Sequence, residues 1–124
     1  KSYIDYGTFQ PIQIASTVAL NELDDYPFEL SAVYKERREL VVEHLEDLDF
    51  NVQESDATMF VWAKLPEKFK KDSLKFSLDI LEKSNVAVSP GVGFGKFGEG
   101  YIRIALVENK QRIRQAMKNI KAAL

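Results

Sequence analysis

Residues 89–106 read Ser89-Pro90-Gly91-Val92-Gly93-Phe94-Gly95-Lys96-Phe97-Gly98-Glu99-Gly100-Tyr101-Ile102-Arg103-Ile104-Ala105-Leu106. Gly93, Gly95 and Gly98 spell G-x-G-x-x-G. A dinucleotide fingerprint needs those glycines to open a helix whose N-terminus meets a pyrophosphate. Here they run into the alternating stretch Tyr101–Leu106, a strand, so the pattern describes a tight connection between strands and not a phosphate cradle. Ser89-Pro90-Gly91 is a turn sequence through which the chain leaves a short strand at Val86–Val88.

Outward from this block, Asn109 can cap a last helix whose apolar stripe is Ile113, Met117, Ile120 and Leu124. Upstream, Asp72 or Ser73 can cap a helix reaching about Lys83, with Leu74, Leu78 and Leu81 expected inward. Glu67–Lys71 reads as a charged loop. Thr58–Leu65 is a β-branched and aromatic run between Asp56 and Pro66, the strongest strand signal in the chain, and Phe50–Val52 suits a short strand. Glu29–Leu48 predicts a long helix with Leu30, Val33, Tyr34, Val41, Leu45 and Leu48 on its apolar side. Before it, Asp24-Asp25-Tyr26-Pro27 ends a first helix that opens at Pro11 and carries Ile12, Ala15, Ala19 and Leu23 at helical spacing. Tyr3–Gln10 is an extended lead-in with a turn at Gly7. The fold class is therefore α+β: a small sheet of three to four strands with helices packed against it. Residues 1–27 form the lead-in segment and first helix, and 28–124 the domain proper.

The 124 residues fit one compact domain, and a 45% apolar share excludes a disordered chain. A net charge of −2 argues against a nucleic-acid partner. The charges are segregated, with four Lys/Arg against thirteen Asp/Glu in Lys1–Trp62 and thirteen against six in Ala63–Leu124. Two oppositely charged halves that attract across the fold are preferred to a basic binding surface. Without cysteine there is no disulfide or thiolate site, and without a long apolar run or signal peptide a cytoplasmic protein with no membrane partner is expected. The start at Lys1-Ser2-Tyr3, with no Met, suggests a piece of a longer protein.

Arg103 carries the most chemistry. Alternation places Ile102, Ile104 and Leu106 on one face of its strand and Tyr101, Arg103 and Ala105 on the other. A guanidinium there can simply face solvent, or it can hold a carboxylate with two parallel hydrogen bonds in the room that Ala105 leaves. His44, the only histidine, has no second histidine with which to build a metal site and reads as a boundary residue. Met59, Phe60 and Trp62 read as core side chains. Lys110, Arg112, Arg114, Lys118 and Lys121 lack interleaved aromatics and read as a solvated helix face.

Several stretches taken in order resemble the class I/II, fold-type-I aminotransferases. They are Asp5-Tyr6-Gly7-Thr8-Phe9-Gln10-Pro11-Ile12-Gln13, Tyr34 with Arg37-Arg38, Ala57-Thr58-Met59-Phe60-Val61-Trp62 and, most specifically, Val88–Gly91 through Tyr101–Leu106. The resemblance is to the C-terminal small domain, nearest to bacterial alanine and aspartate aminotransferase-like enzymes. It implies a homodimer that uses pyridoxal 5'-phosphate to move an amino group between an amino acid and a 2-oxo acid. The lysine that holds the cofactor, and the cofactor's main contacts, would lie ahead of Lys1, leaving no catalytic residue in this chain and no activity for it alone. Carried over residue by residue, Arg103 would grip the substrate α-carboxylate and Phe60 would line the substrate side of the cleft. Tyr6, Gly7, Thr8 and Phe9 would lie near the domain junction and the neighbouring subunit's site. The competing readings are a stand-alone α+β module that binds amino acids or regulates, and a purely structural dimerisation domain that uses Tyr3–Leu23.

Overall fold

The computed structural model describes residues 7–69 and 72–124, which divide into two compact units, one ending at Val33 and the other spanning Tyr34–Leu124. In the first unit Gly7 turns the chain at φ 77°, and helix α1 runs over Gln10–Glu22 with Pro11 in its first turn. Polar and apolar residues both occur around α1, and Ile12, Ile14, Val18 and Leu20 are all exposed.

Helix α2, Tyr26–Glu46, starts three residues before the expected Glu29. Pro27 falls in its first turn, where a missing N–H breaks no helical hydrogen bond. Only Leu23, Asp24 and Asp25 therefore separate the helices, and the Asp25 carbonyl accepts from Phe28 and Glu29. Leu40, Val41 and Leu45 of α2 are buried and Tyr34 and Leu48 pack beside them, whereas Leu30 and Val33 of the expected stripe are exposed.

The second unit is built on a four-stranded antiparallel sheet. Its strands are β1 (Asn51–Val52), β2 (Phe60–Lys64), β3 (Ser89–Pro90) and β4 (Tyr101–Ala105), in the order β1-β2-β4-β3. The central pair sets Val61 against Ile104, Trp62 against Arg103 and Ala63 against Ile102. With a side-chain period of two, Val61, Ala63, Ile102 and Ile104 share one face. That face meets Leu40, Val41 and Leu45 of α2, Phe76 and Ile80 of α3 (Ser73–Ser84), and Ile113, Met117 and Ile120 of α4 (Lys110–Ala123) in a single core. Phe60, Trp62, Tyr101 and Arg103 lie on the other face and are only half-buried, so Met59, Phe60 and Trp62 are not core side chains as expected, and Met59 is exposed. Ser89–Pro90, one step beyond the expected Val86–Val88, supplies the edge strand.

Both capping expectations hold. The Asp72 carboxylate accepts from the Lys75 N–H at 2.8 Å, and the Asn109 side chain accepts from the Arg112 N–H at 2.9 Å. Asn85, left-handed at φ 55°, closes α3 by donating to the Leu81 carbonyl. The stripe expected for α3 is wrong. Leu74, Leu78 and Leu81 are exposed, and the buried side is Ser73, Phe76, Ser77, Ile80 and Ser84. Ser77 and Ser84 donate to the carbonyls four residues back, at 2.9 and 2.6 Å. A hydroxyl satisfied inside its own helix can be buried at little cost, and its small size lets the helix lie close to its neighbours. Between the acidic and basic halves of the chain, Lys110 of α4 pairs with Glu36 of α2.

Amide exchange on the 124-residue chain should show Gln10–Glu22 opening far more readily than Phe60–Lys64 and Tyr101–Ala105. Equal protection of all three segments in a proven monomer would contradict this placement of the stable core.

Candidate functional site

The outer face of the β2–β4 pair gathers four aromatic rings around one cation. The Arg103 guanidinium carbon lies over the Phe60 ring at 4.1 Å and over the Phe94 ring at 4.2 Å, both within cation–π distance. Trp62, directly across the strand pair from Arg103, stacks on Tyr101 at 5.5 Å and 14° and meets Phe94 edge-on at 5.7 Å and 76°. Arg103 Nε is buried and has no hydrogen-bond partner among the described residues. No described carboxylate forms an ion pair with this guanidinium. An unsatisfied buried donor is costly, and an arginine on a strand surface would ordinarily meet water or a carboxylate.

Phe94 reaches this cluster because the glycine-rich loop is folded. Gly91–Phe94 and Lys96–Gly98 form two short 3-10 turns joined at Gly95, whose φ of 115° favours glycine. Gly91 and Gly98 stand backbone to backbone, and a Cβ on either would collide with the carbonyl of the other. The loop is then tied to the start of α3. One Glu99 carboxylate oxygen accepts from the Ser73 N–H at 2.6 Å and from the Gly100 N–H at 2.9 Å, while the Ser73 hydroxyl accepts from the Val92 N–H at 3.3 Å. The hydrogen bonds from Ser73 and Gly100 hold the Glu99 carboxyl below the usual carboxylate range.

The paired arginines of α2 have structural employment. Arg37 donates to the Leu106 carbonyl at 2.8 Å, just beyond β4, and Arg38 donates to the Ser55 carbonyl. His44 is half-buried with Nδ1 2.9 Å from the Leu40 carbonyl, and no cluster of potential metal ligands occurs among the described residues. Gly7, Thr8 and Phe9 are exposed in the first unit, where the Thr8 carbonyl accepts from the Gln13 side chain at 2.7 Å; Tyr6 lies outside the described residues. A groove of about 660 Å³ beside α2 is lined by Glu39, Glu43, Glu46, Asp47, Glu54 and Asp56, a wall that repels carboxylates, and Arg103 is not part of it. The structure brings Arg103 and Phe60 together. It adds Phe94, Trp62 and Tyr101, which the sequence marked only as a loop aromatic, a core tryptophan and the start of a strand.

Residues 8–120 match the family described as aminotransferase class I and II. The chain belongs to that family. It is 54% identical to AatC of Rhizobium meliloti (strain 1021), an alignment covering all of this chain and 31% of that protein. It is 44% identical to the glutamate-pyruvate aminotransferase AlaC of Escherichia coli (strain K12), over 98% of this chain and 30% of AlaC. The aromatic aminotransferase of Pyrococcus horikoshii OT3 superposes with a TM-score of 0.84 at 30% identity, over 91% of this chain and 31% of that one. The chain therefore spans under a third of the length of these relatives.

Glu99 gives the site a pH dependence of defined sign. Because its carboxyl is held below the usual range when the loop is docked, it favours docking at neutral pH, and that contribution is lost as pH falls through the lowered value. Trp62, the only tryptophan, reports on the loop through Phe94. Its emission should change on acidification with a midpoint below that of an ordinary glutamate, and Glu99→Gln should remove that step. Superimposable acid titrations of the two proteins would refute the latch.

Proposed function

We propose that this chain is the C-terminal small domain of a pyridoxal-phosphate aminotransferase, and that Arg103 binds the α-carboxylate shared by its amino-acid and 2-oxo-acid substrates. A guanidinium with a phenyl ring at 4.1 Å and another at 4.2 Å, and with no described carboxylate paired to it, carries this reading. Two rings held against the cation leave its N–H groups to donate where the rings do not cover them. A planar carboxylate entering in that plane accepts two parallel hydrogen bonds, a geometry that an ammonium cannot reproduce. Phe60 forms one wall of the entry and, with Trp62 and Phe94, limits water around the ion pair, which strengthens it.

The residues present fit the substrate end of such a site and not its cofactor end. The described lysines are exposed or half-buried, none enclosed as a cofactor-binding lysine would be. Pyridoxal 5'-phosphate, when bound, supplies an electron sink for chemistry at the substrate α-carbon. In this reading the lysine and the cofactor contacts belong to the rest of the enzyme, and the chain alone is inactive. Residues 1–27 form the lead-in at the domain junction and 28–124 the small domain, with Tyr6, Gly7, Thr8 and Phe9 near the neighbouring subunit's site. The enzyme acts as a homodimer in the cytoplasm. No described helix is long and apolar enough to cross a membrane. The exposed Ile12, Ile14, Val18 and Leu20 of α1 favour this reading over a stand-alone amino-acid-binding module, because the rest of an enzyme would cover them. The amino donor stays unspecified, as the relatives' names point to different substrates.

In the complete enzyme Arg103→Lys should lower kcat/KM roughly ten- to a hundredfold, the loss of one charge-assisted hydrogen bond. Arg103→Ala should lower it further, and every amino-acid donor should be affected, amines without a carboxylate much less. Circular dichroism should show an unchanged fold, because Arg103 lies on the face opposite Ile102. Near-normal kcat/KM in folded Arg103→Ala would refute the assignment.

A further inference from the structure

An arginine on an open sheet face samples many rotamers, and that freedom must be given up before both of its hydrogen bonds can reach one carboxylate. In this chain much of it is already gone. Phe60, on a strand fixed by its pairing with β4, supports one side of the guanidinium at 4.1 Å. The other side, at 4.2 Å, is supported by a residue from outside the sheet, Phe94. Phe94 is half-exposed and lies on the solvent side of the guanidinium. Trp62 braces it edge-on, and behind it the loop is fixed by the Gly91–Gly98 backbone contact and by the bonds from Glu99 to Ser73 and Gly100.

We infer that Phe94 is a positioning residue for Arg103: its ring fixes the plane of the guanidinium so that the N–H edge, and not a flat face, is presented to the substrate carboxylate. The inference rests on the carboxylate reading of Arg103. Phe60 alone would leave the guanidinium free to lift off on its open side. With both rings in place the ordering cost is met when the loop folds, before substrate arrives, and affinity gains accordingly. The glycine-rich loop is thereby given a purpose that its glycines alone do not reveal, which is to carry one aromatic ring over the top of the cation.

The test is a double-mutant cycle in the complete enzyme, followed by steady-state kinetics with an amino-acid donor. Phe94→Leu keeps apolar bulk and removes the ring face. It should lower kcat/KM roughly three- to tenfold, chiefly through KM, while Phe94→Tyr stays near the parent. In an Arg103→Lys background, Phe94→Leu should cost almost nothing more. An independent readout is the Arg103 Nε–H resonance in the arginine-labelled 124-residue chain. It should lie upfield of the other arginines, shielded by the two rings, and should move back towards them in Phe94→Leu. If Phe94→Leu fails to fold, Phe94→Met takes its place. If Arg103→Lys leaves kcat/KM unchanged, the carboxylate reading falls and takes this inference with it. If Arg103→Lys is costly but Phe94→Leu is silent, or is equally costly in both backgrounds, the inference alone is overturned.

Discussion

Phe60–Lys64 pairs antiparallel with Tyr101–Ala105 in a register that puts Trp62 opposite Arg103 and Ala63 opposite Ile102. Everything else in the second unit depends on that alignment. A slip of one residue would exchange the two faces, turning Arg103 into the core and Ile102 out of it. In the observed register Val61, Ala63 and Ile102 are buried against three helices, and the opposite face is left for a cation with its aromatic neighbours. The apolar face makes the register worth holding, and the register makes the polar face specific.

The site stores an unmet demand. A buried N–H without an acceptor costs about 1–3 kcal/mol, and stacking on an aromatic face returns roughly 0.5–2 kcal/mol depending on solvent exposure. Two rings can therefore hold the guanidinium in place at a tolerable cost while leaving its hydrogen-bonding capacity unspent. A protein carboxylate in the same place would satisfy the guanidinium within the fold. Glu99 is engaged with the backbone of Ser73 and Gly100.

Much of this was legible in the sequence. The alternation in Tyr101–Leu106 placed Arg103 outward, the asparagine and aspartate caps were read correctly, and the glycine-rich stretch leads into a strand and not a helix. The α3 stripe was misread because both faces carry residues at helical spacing. Hydrophobicity favours Leu74, Leu78 and Leu81, but the packed side uses serines whose hydroxyls are satisfied within the helix. Trp62 was read as core for a related reason. Composition records that a large ring will be covered, but not that Tyr101 and Phe94 would do the covering. The position of Phe94 over Arg103 depends on loop geometry set by the Gly91–Gly98 contact, some five to twelve residues from Arg103 in sequence, and no local pattern encodes it.

The most direct measurement is a crystal structure of the complete enzyme with a bound 2-oxo acid. Both carboxylate oxygens should lie about 2.7–2.9 Å from Arg103 N–H groups, with the Phe60 and Phe94 rings still beside the guanidinium. A ligand carboxylate held by other residues, with Arg103 turned to a carboxylate of the protein, would contradict it.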